Sequence, residues 1–251
     1  MAKTTGLGDN FYIGGTDVSG DTNSLSKIGG GPAALDVTGI NKAGFERLGG
    51  QRDGNIAWVS YFNPTGAHPV LSALPTTDTL ITYANGAGST TQAIGNAAAC
   101  MQALLIDYPP TRAVGGMLTM ACTADADEYG LEWGQILTPG VRTDTAATAG
   151  ASLDGGASSA FGAQAYLHVM GLTGTDVTVK LQDSADNATF ADVASGAFAQ
   201  TTAAQTWQRI ALTNTATLRR YVRATTVTTG GFTSASFAVV LVRNQIAGQA
   251  F

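Results

Sequence analysis

Residues 49–64 read GGQRDGNIAWVSYFNP. Two glycines and a charged turn (Arg52, Asp53, Gly54) lead into a short strand that ends at Asn63-Pro64. Side chains alternate across a strand. Ile56, Trp58, Ser60 and Phe62 therefore share one face, and Ala57, Val59 and Tyr61 the other. A strand lying half in water shows one polar face. This one shows almost none, so it needs a cover on each side.

Working outward, the same short β pattern recurs. Strands are predicted over Asn10–Gly14, Asn55–Asn63, Thr79–Ala84, Ala98–Asp107, Gly116–Thr123 and Ala163–Met170. Others are predicted over Asp176–Gln182, Phe190–Val193, Gln208–Leu212, Arg219–Thr226 and Ser236–Arg243. They are bounded by Gly, Asn, Asp, Pro and Thr and unbroken by long helices, which argues for antiparallel sandwiches or barrels. Val177, Val179 and Leu181 line one side of their strand. In SFAVVLVRN, Phe237, Val239 and Leu241 oppose Ala238, Val240 and Val242, the mark of a central strand. The helical signal is confined to Ala67–Leu74, with Pro69 near its first turn and Pro75 as its stop, and to a weaker stretch, Asn41–Arg47.

The composition shifts at Thr143–Ser159, a small, polar, Gly-rich stretch. It implies a first domain over 1–142, a linker over 143–158 and a second β-sandwich domain over 159–251. Residues 1–150 carry 7 Lys/Arg and 13 Asp/Glu, a net of −6, and residues 151–251 carry 6 and 5, a net of +1.

Charged residues make up only 12% of the 251, about half the usual share of roughly 25%. So little charge fits a chain that hides surface in an assembly. A net charge of −5 excludes binding driven by phosphate neutralisation over the whole chain. No apolar run is long enough to span a membrane, and MAKTTGLGDN has no apolar core of a secretory signal. Cys100 and Cys122 are too few for a disulfide scaffold and read as reduced core residues. A hairpin turning at Tyr108–Arg112 would set them nearly opposite, which makes a disulfide geometrically possible.

No catalytic constellation emerges. His68 and His168 stand apart, without carboxylates or cysteines at metal-ligand spacing, and no nucleophile elbow or phosphate loop is present. The run Ile28-Gly29-Gly30-Gly31-Pro32 lacks the Lys and Ser/Thr of a phosphate loop and reads as a flexible hinge. Asp125, Asp127, Glu128 and Glu132 read as a solvated turn rather than a calcium or acid–base site. Asp183–Asn187 reads as a structural turn. Arg219, Tyr221 and Arg223 share a face that is either solvated or able to stack on a sugar or hold a phosphate. Catalytic residues, cofactors and metals are therefore expected to be none.

The order of AALDVTGINKAGFERLGGQRDGNIAWVSYFNP, AHPVLSALP and DTLITYANG resembles the major tail tube proteins of long-tailed, siphovirus-like double-stranded DNA phages. The stretches that carry the resemblance are Leu35-Asp36-Val37-Thr38, Phe45-Glu46, Gly49–Gly54 and Ile56–Pro64, with IDYPPTRAVGGMLTMACTADADEYGLEWG as the closing hairpin. It covers roughly residues 8–140. The resemblance implies a mainly β fold: a tail-tube-type β-sandwich with a short flanking helix, then a second antiparallel sandwich on the tube exterior. It implies homo-hexameric rings that stack into a hollow virion tail tube. The tape measure protein and DNA would pass through the lumen, and terminator and baseplate or tip proteins would bind the ends, with no membrane involved. The segment Gly29–Gly54 would reach another subunit. The contact residues it implies are Leu35, Val37, Ile40, Phe45, Arg47, Arg52, Trp58 and Tyr61. Acidic residues are expected along the lumen, without assignment to positions. A capsid decoration or virion surface protein and a carbohydrate-binding module are the competing readings.

Overall fold

The computed structural model describes residues 5–74, 77–112 and 114–246. In chain order the strands are β1 (Asn10–Ile13), β2 (Thr16–Asp17), β3 (Thr22–Asp36), β4 (Arg47–Tyr61), β5 (Thr79–Ala84), β6 (Ala97–Asp107), β7 (Pro110–Arg112), β8 (Leu118–Ala126) and β9 (Glu132–Ile136). They continue as β10 (Arg142–Asp144), β11 (Leu153–Asp154), β12 (Ala163–Gly174), β13 (Thr178–Ser184), β14 (Ala191–Ala197), β15 (Thr206–Ala211), β16 (Tyr221–Val227) and β17 (Phe232–Arg243). One short helix, α1 (Ala67–Leu71), joins them. The fold is mainly β and antiparallel, as its alternating pattern and turn residues dictate.

The chain forms two compact units. Unit 1 takes residues 1–20, 80–100 and 133–251, and unit 2 takes 21–79 and 101–132. This differs from the split at 1–142, 143–158 and 159–251. Long-range strand pairing draws the N-terminal strands into the same unit as the C-terminal ones, and composition along the chain carries no trace of that. The stretch expected to be a linker is pinned. β10 pairs with β17, β11 pairs with β16, and Thr148 accepts and donates bonds to the β16 strand end at Thr226.

Unit 1 is built on β12 and β17, paired from Ala163↔Arg243 to Gly174↔Phe232. Their odd-numbered residues Ala165, Leu167, Phe237, Val239 and Leu241 pack against Val179, Leu181, Val222 and Ala224 of the sheet β11-β16-β13-β14. This is a sandwich core. Tyr166, Val240 and Val242, on the opposite face, pack with Leu80, Ala84, Ala98, Cys100 and Ile136. Gly15, in the β1–β2 turn, donates its N–H to His168 Nδ1 of β12 at 3.1 Å, so that sheet rolls back on itself. Both apolar faces of β17 are thus covered from within the unit.

Unit 2 is a sheet in the order β3-β4-β8-β6, with β7 also on β8. Ile56, Trp58 and Ser60 of β4 and Met120, Cys122 and Ala124 of β8 are buried on one face. Ala67 and Leu71 of α1 are buried as well. The helix is held at its start by Asp21, whose carboxylate accepts from the Ala67 N–H at 2.8 Å and from Asn63 Nδ2. It stops at Leu71, three residues before the expected end, and Leu74 turns into the left-handed region at φ 43°. Pro75, the expected stop, lies outside the described residues, as does the start of the N-terminal stretch at residues 1–4.

Three sequence expectations fail here for one reason, namely that β3 and β4 are each 15 residues long. The glycine run 28–32 is not a hinge but the middle of β3, with Gly29↔Asn55, Gly30↔Gly54 and Pro32↔Arg52 in register. Arg52-Asp53-Gly54 is not a turn but part of β4. A Cβ on Gly54 would stand 2.6 Å from Leu131 N and 2.8 Å from Met101 Sδ, so only glycine fits. Asn41–Arg47 forms no helix, because it closes this hairpin. In β8, Thr123 pairs with Asp107, so the hairpin register does not set Cys122 opposite Cys100; both are buried and not joined by a disulfide, in keeping with their reading as reduced core residues.

Candidate assembly surface

Beyond Gly54, the β3–β4 hairpin leaves the body of unit 2 as an arm. From Pro32 to Asp53 every residue is exposed except the half-buried Thr38 and Gly50. The arm is ordered by its own bonds. Leu35 pairs with Leu48 and Asp36 with Arg47. The Val37 N–H donates to Glu46 O at 2.9 Å, and the Glu46 N–H donates to Thr38 Oγ1 at 2.9 Å. Lys42 and Glu46 form an ion pair at 2.9 Å. The Arg47 guanidinium lies 5.0 Å from the Phe45 ring centre. The hydroxyl and N–H of Thr38 bond Asp36 and hold its carboxyl below the usual carboxylate range.

The arm carries five large apolar side chains into water: Leu35, Val37, Ile40, Phe45 and Leu48, with Ile40 fully exposed and Phe45 at 75%. Leu35 and Leu48 share one face by register, and Leu35 reaches over Gly50 on that face. An isolated two-stranded hairpin is marginal in water, so such a surface costs stability unless something covers it.

The second element is the outer face of β4 and β8. Ala57, Val59 and Tyr61 pair with Thr123, Ala121 and Thr119, and all six remain half-exposed or exposed. The opening strand therefore has one cover inside the chain and one missing. Lys27 of β3, opposite Ala57, Asp125 of β8, opposite Asn55, and Asp107 of β6, opposite Thr123, are the charged residues in register with this face.

Of the residues implied as contacts, Leu35, Val37, Ile40, Phe45, Arg47 and Arg52 all lie exposed on the arm. Tyr61 is half-buried, its hydroxyl donating to Asn23 Oδ1 at 3.0 Å. Trp58 does not belong with them. It is 1% exposed, opposite Cys122 in the core of unit 2, and offers no surface. Sequence reading missed Leu48, which only the hairpin register sets beside Leu35. It also missed Thr119, Ala121 and Thr123, whose small side chains matter only once β8 is known to flank β4.

The other candidates resolve into structure. His168 is buried, and desolvation depresses its pKa to about 3. Its Nδ1 accepts from Gly15, so the neutral ring carries its proton on Nε2, which donates to Thr82 Oγ1 at 2.9 Å. His68 sits 3.1 Å from the Tyr108 hydroxyl and packs on Phe62 with ring centres 4.6 Å apart. Arg219 pairs with Asp183 at 2.6 Å and Arg220 with Asp154 at 2.6 Å. Arg223 donates to Gln182 Oε1 and lies 3.9 Å from the Phe190 ring centre. These three arginines are spent within the chain rather than presented to a sugar or phosphate. The Asp183–Asn187 stretch is a structural turn in which Asp186 accepts from Ala188 and Thr189. Glu132 departs from the solvated reading of its cluster, since it is 2% exposed. Among the described residues no group of three or more His, Cys, Asp or Glu could hold a metal ion, and no helix is long and apolar enough to cross a membrane.

The net charge belongs to unit 2. It holds Lys27, Lys42, Arg47, Arg52 and Arg112 against ten Asp and Glu, giving −5, while unit 1 holds eight of each sign.

The profile of a protein family described as Bbp16 matches residues 161–241, the stretch from just before β12 into β17. No curated protein matches the chain. Among solved structures, the Dit protein of SPP1, described as a paradigm of the hub adsorption apparatus in phages infecting Gram-positive hosts, matches with 11% identity and a TM-score of 0.31. The match covers 94% of this chain and 99% of that one. A chain of the phage p2 baseplate in its activated, Sr-containing conformation matches with 10% identity and a TM-score of 0.32, over 94% of this chain and 98% of that one.

Proposed function

We propose that this protein is a non-enzymatic structural subunit of a bacteriophage tail that assembles with copies of itself into hexameric rings around a channel. The observation that carries this reading is the β3–β4 hairpin: an ordered arm with five large apolar side chains in water, rooted in a sheet whose second face is half bare. Covering on the order of 500 Å² of apolar arm at about 25 cal/mol per Å² yields roughly 12 kcal/mol of gross drive, before ordering costs are subtracted. The succession of motifs shared with tail tube proteins supports the same reading, as does the low charge of the chain.

In such a ring the half-bare face of β4 and β8 is the surface left for the channel. Apart from Tyr61 its side chains are no larger than valine, and the charged residues in register with it are Lys27, Asp125 and Asp107. DNA passing such a wall meets no basic stripe to release counterions against, and the net −5 of unit 2 repels it further. Tape measure protein, terminator and baseplate proteins are the partners this role requires.

Negative-stain microscopy of the purified chain over rising concentration tests the proposal. Hollow tubes or stacked rings are expected, and single rings would point to the end of a tail rather than its tube. A monomer at every concentration overturns the proposal, and so does a basic channel wall in an assembled structure.

A further inference from the structure

The free edge of β3 is a poor template for another strand. Its pairing with β4 shifts register at Thr22/Ser24, Leu25/Lys27 and Pro32/Ala34. It also carries a lysine and a proline, devices that blunt an edge against sheet extension. The arm must therefore be covered through its side chains.

Charge narrows what covers it. From Pro32 to Arg52 the arm holds Lys42, Arg47 and Arg52 against Asp36 and Glu46, a net of +1. The rest of unit 2 holds Lys27 and Arg112 against Asp21, Asp53, Asp78, Asp107, Asp125, Asp127, Glu128 and Glu132, a net of −6. A weakly basic, apolar arm thus projects from an acidic body. Of the exposed acids of that body, Asp53, Asp127 and Glu128 lie at the arm's own root, while Asp107 lies opposite Thr123. The turn after β8 presents Asp127 and Glu128, and Gly130 there lies so close to Asp53 that a Cβ would stand 2.9 Å from Asp53 O. Leu131 N–H donates to the same carbonyl at 3.4 Å.

We infer that the arm of one copy docks on the acidic root of a second copy, with Lys42 and Arg47 at its tip facing Asp127 and Glu128. This rests on the self-assembly reading above and adds the receiving surface and the polarity. Tip and root are different surfaces of one chain. The contact can therefore repeat head to tail into a closed ring, the arrangement the proposed function requires, whereas a two-fold dimer would need both arms exchanged at once. The arm's apolar area and an equal area on the receiver reach about 1,000 Å², the lower limit for a specific interface.

Charge reversal in the full-length chain tests this. One variant carries Lys42→Glu and Arg47→Glu, and another carries Asp127→Lys and Glu128→Lys. All four positions are exposed, so each chain should fold, with unchanged circular dichroism and melting. Sedimentation velocity at moderate salt is expected to show each variant alone assembling at least tenfold less well than wild type. An equimolar mixture should recover assembly, because the reversed tip meets the reversed root. Failure of the mixture to assemble, with wild type assembling and an arm deletion (residues 33–49 replaced by two glycines) monomeric, overturns the receiving surface alone. Wild-type assembly untouched by the arm deletion overturns the arm's role while leaving self-assembly standing. A monomeric wild type overturns both readings.

Discussion

β17 and β4 carry the same mark in the sequence, apolar residues on both faces, and meet different fates. Phe237, Val239 and Leu241 of β17 enter the sandwich core, and Val240 and Val242 enter the rolled sheet behind it. In β4, Ile56 and Trp58 are buried, while Ala57, Val59 and Tyr61 stay half-exposed. A strand greasy on both sides must be covered twice, but the second cover need not come from the same chain. Where it does, the strand stabilises the fold. Where it does not, the strand keeps a face that the proposed assembly would cover.

The largest expected effect, common to the two strands, comes from truncating a buried ring. Phe237→Ala in unit 1 should cost about 3–5 kcal/mol of folding stability, as should Trp58→Ala in unit 2, both read as lowered denaturant midpoints. Trp58 acting as a subunit contact would instead leave the isolated chain's stability intact and lower only assembly. Next comes acid sensitivity in unit 1. The unfolded His168 binds a proton near pH 6.5 and the folded one only near pH 3. The unfolded state therefore holds more protons in that window, and stability present above pH 6.5 is lost as pH falls toward 3, by about 1.4 kcal/mol per pH unit. Between pH 6 and 4.5 this slope should appear in wild type and flatten in His168→Gln, and an unchanged slope in the variant would refute the assignment.

A smaller effect on folding sharpens the comparison further. Val59→Asp on the half-bare face should change the monomer's stability by under about 1 kcal/mol, whereas Val239→Asp in β17 should prevent stable folding. Chemical denaturation of both variants decides it, and equal losses would mean that β4 is covered on both sides by its own chain. The smallest effect is on thiol chemistry. Desolvation, with Asp107 nearby, pushes the Cys122 thiol up to about 12. Neither cysteine should be alkylated at pH 8 until denaturant is added; rapid labelling of Cys122 in the native chain would show that unit 2 opens, and of Cys100 that unit 1 does.

Much of the fold was legible because period-two alternation and turn residues act locally. The strands at Thr79–Ala84 and around Ala98–Asp107, the central position of β17, and the turn at Asp183–Asn187 all follow from their own residues. β3 was not legible. Its run of Ser, Gly and Ala has no alternating grease, and it is a strand because β4 lies beside it in register. β10 and β11 are two or three residues long and exist only as partners of β17 and β16. On the candidate surface, Leu35, Val37, Ile40 and Phe45 could be singled out from the sequence, but Leu48 was not, and whether each was exposed could not be read. Trp58 and Phe45 look alike as letters, yet one fills a core and the other stands in water.

The sequence by itself determined the class of architecture and the shortage of charge, since composition and spacing set those without reference to distant neighbours. Only the tertiary structure decided which strands share a unit, that residues 22–61 form one long hairpin, and which face of β4 lacks a cover. Those outcomes depend on pairings between residues far apart in the chain, whose energies come from register and burial rather than from any local run of residues.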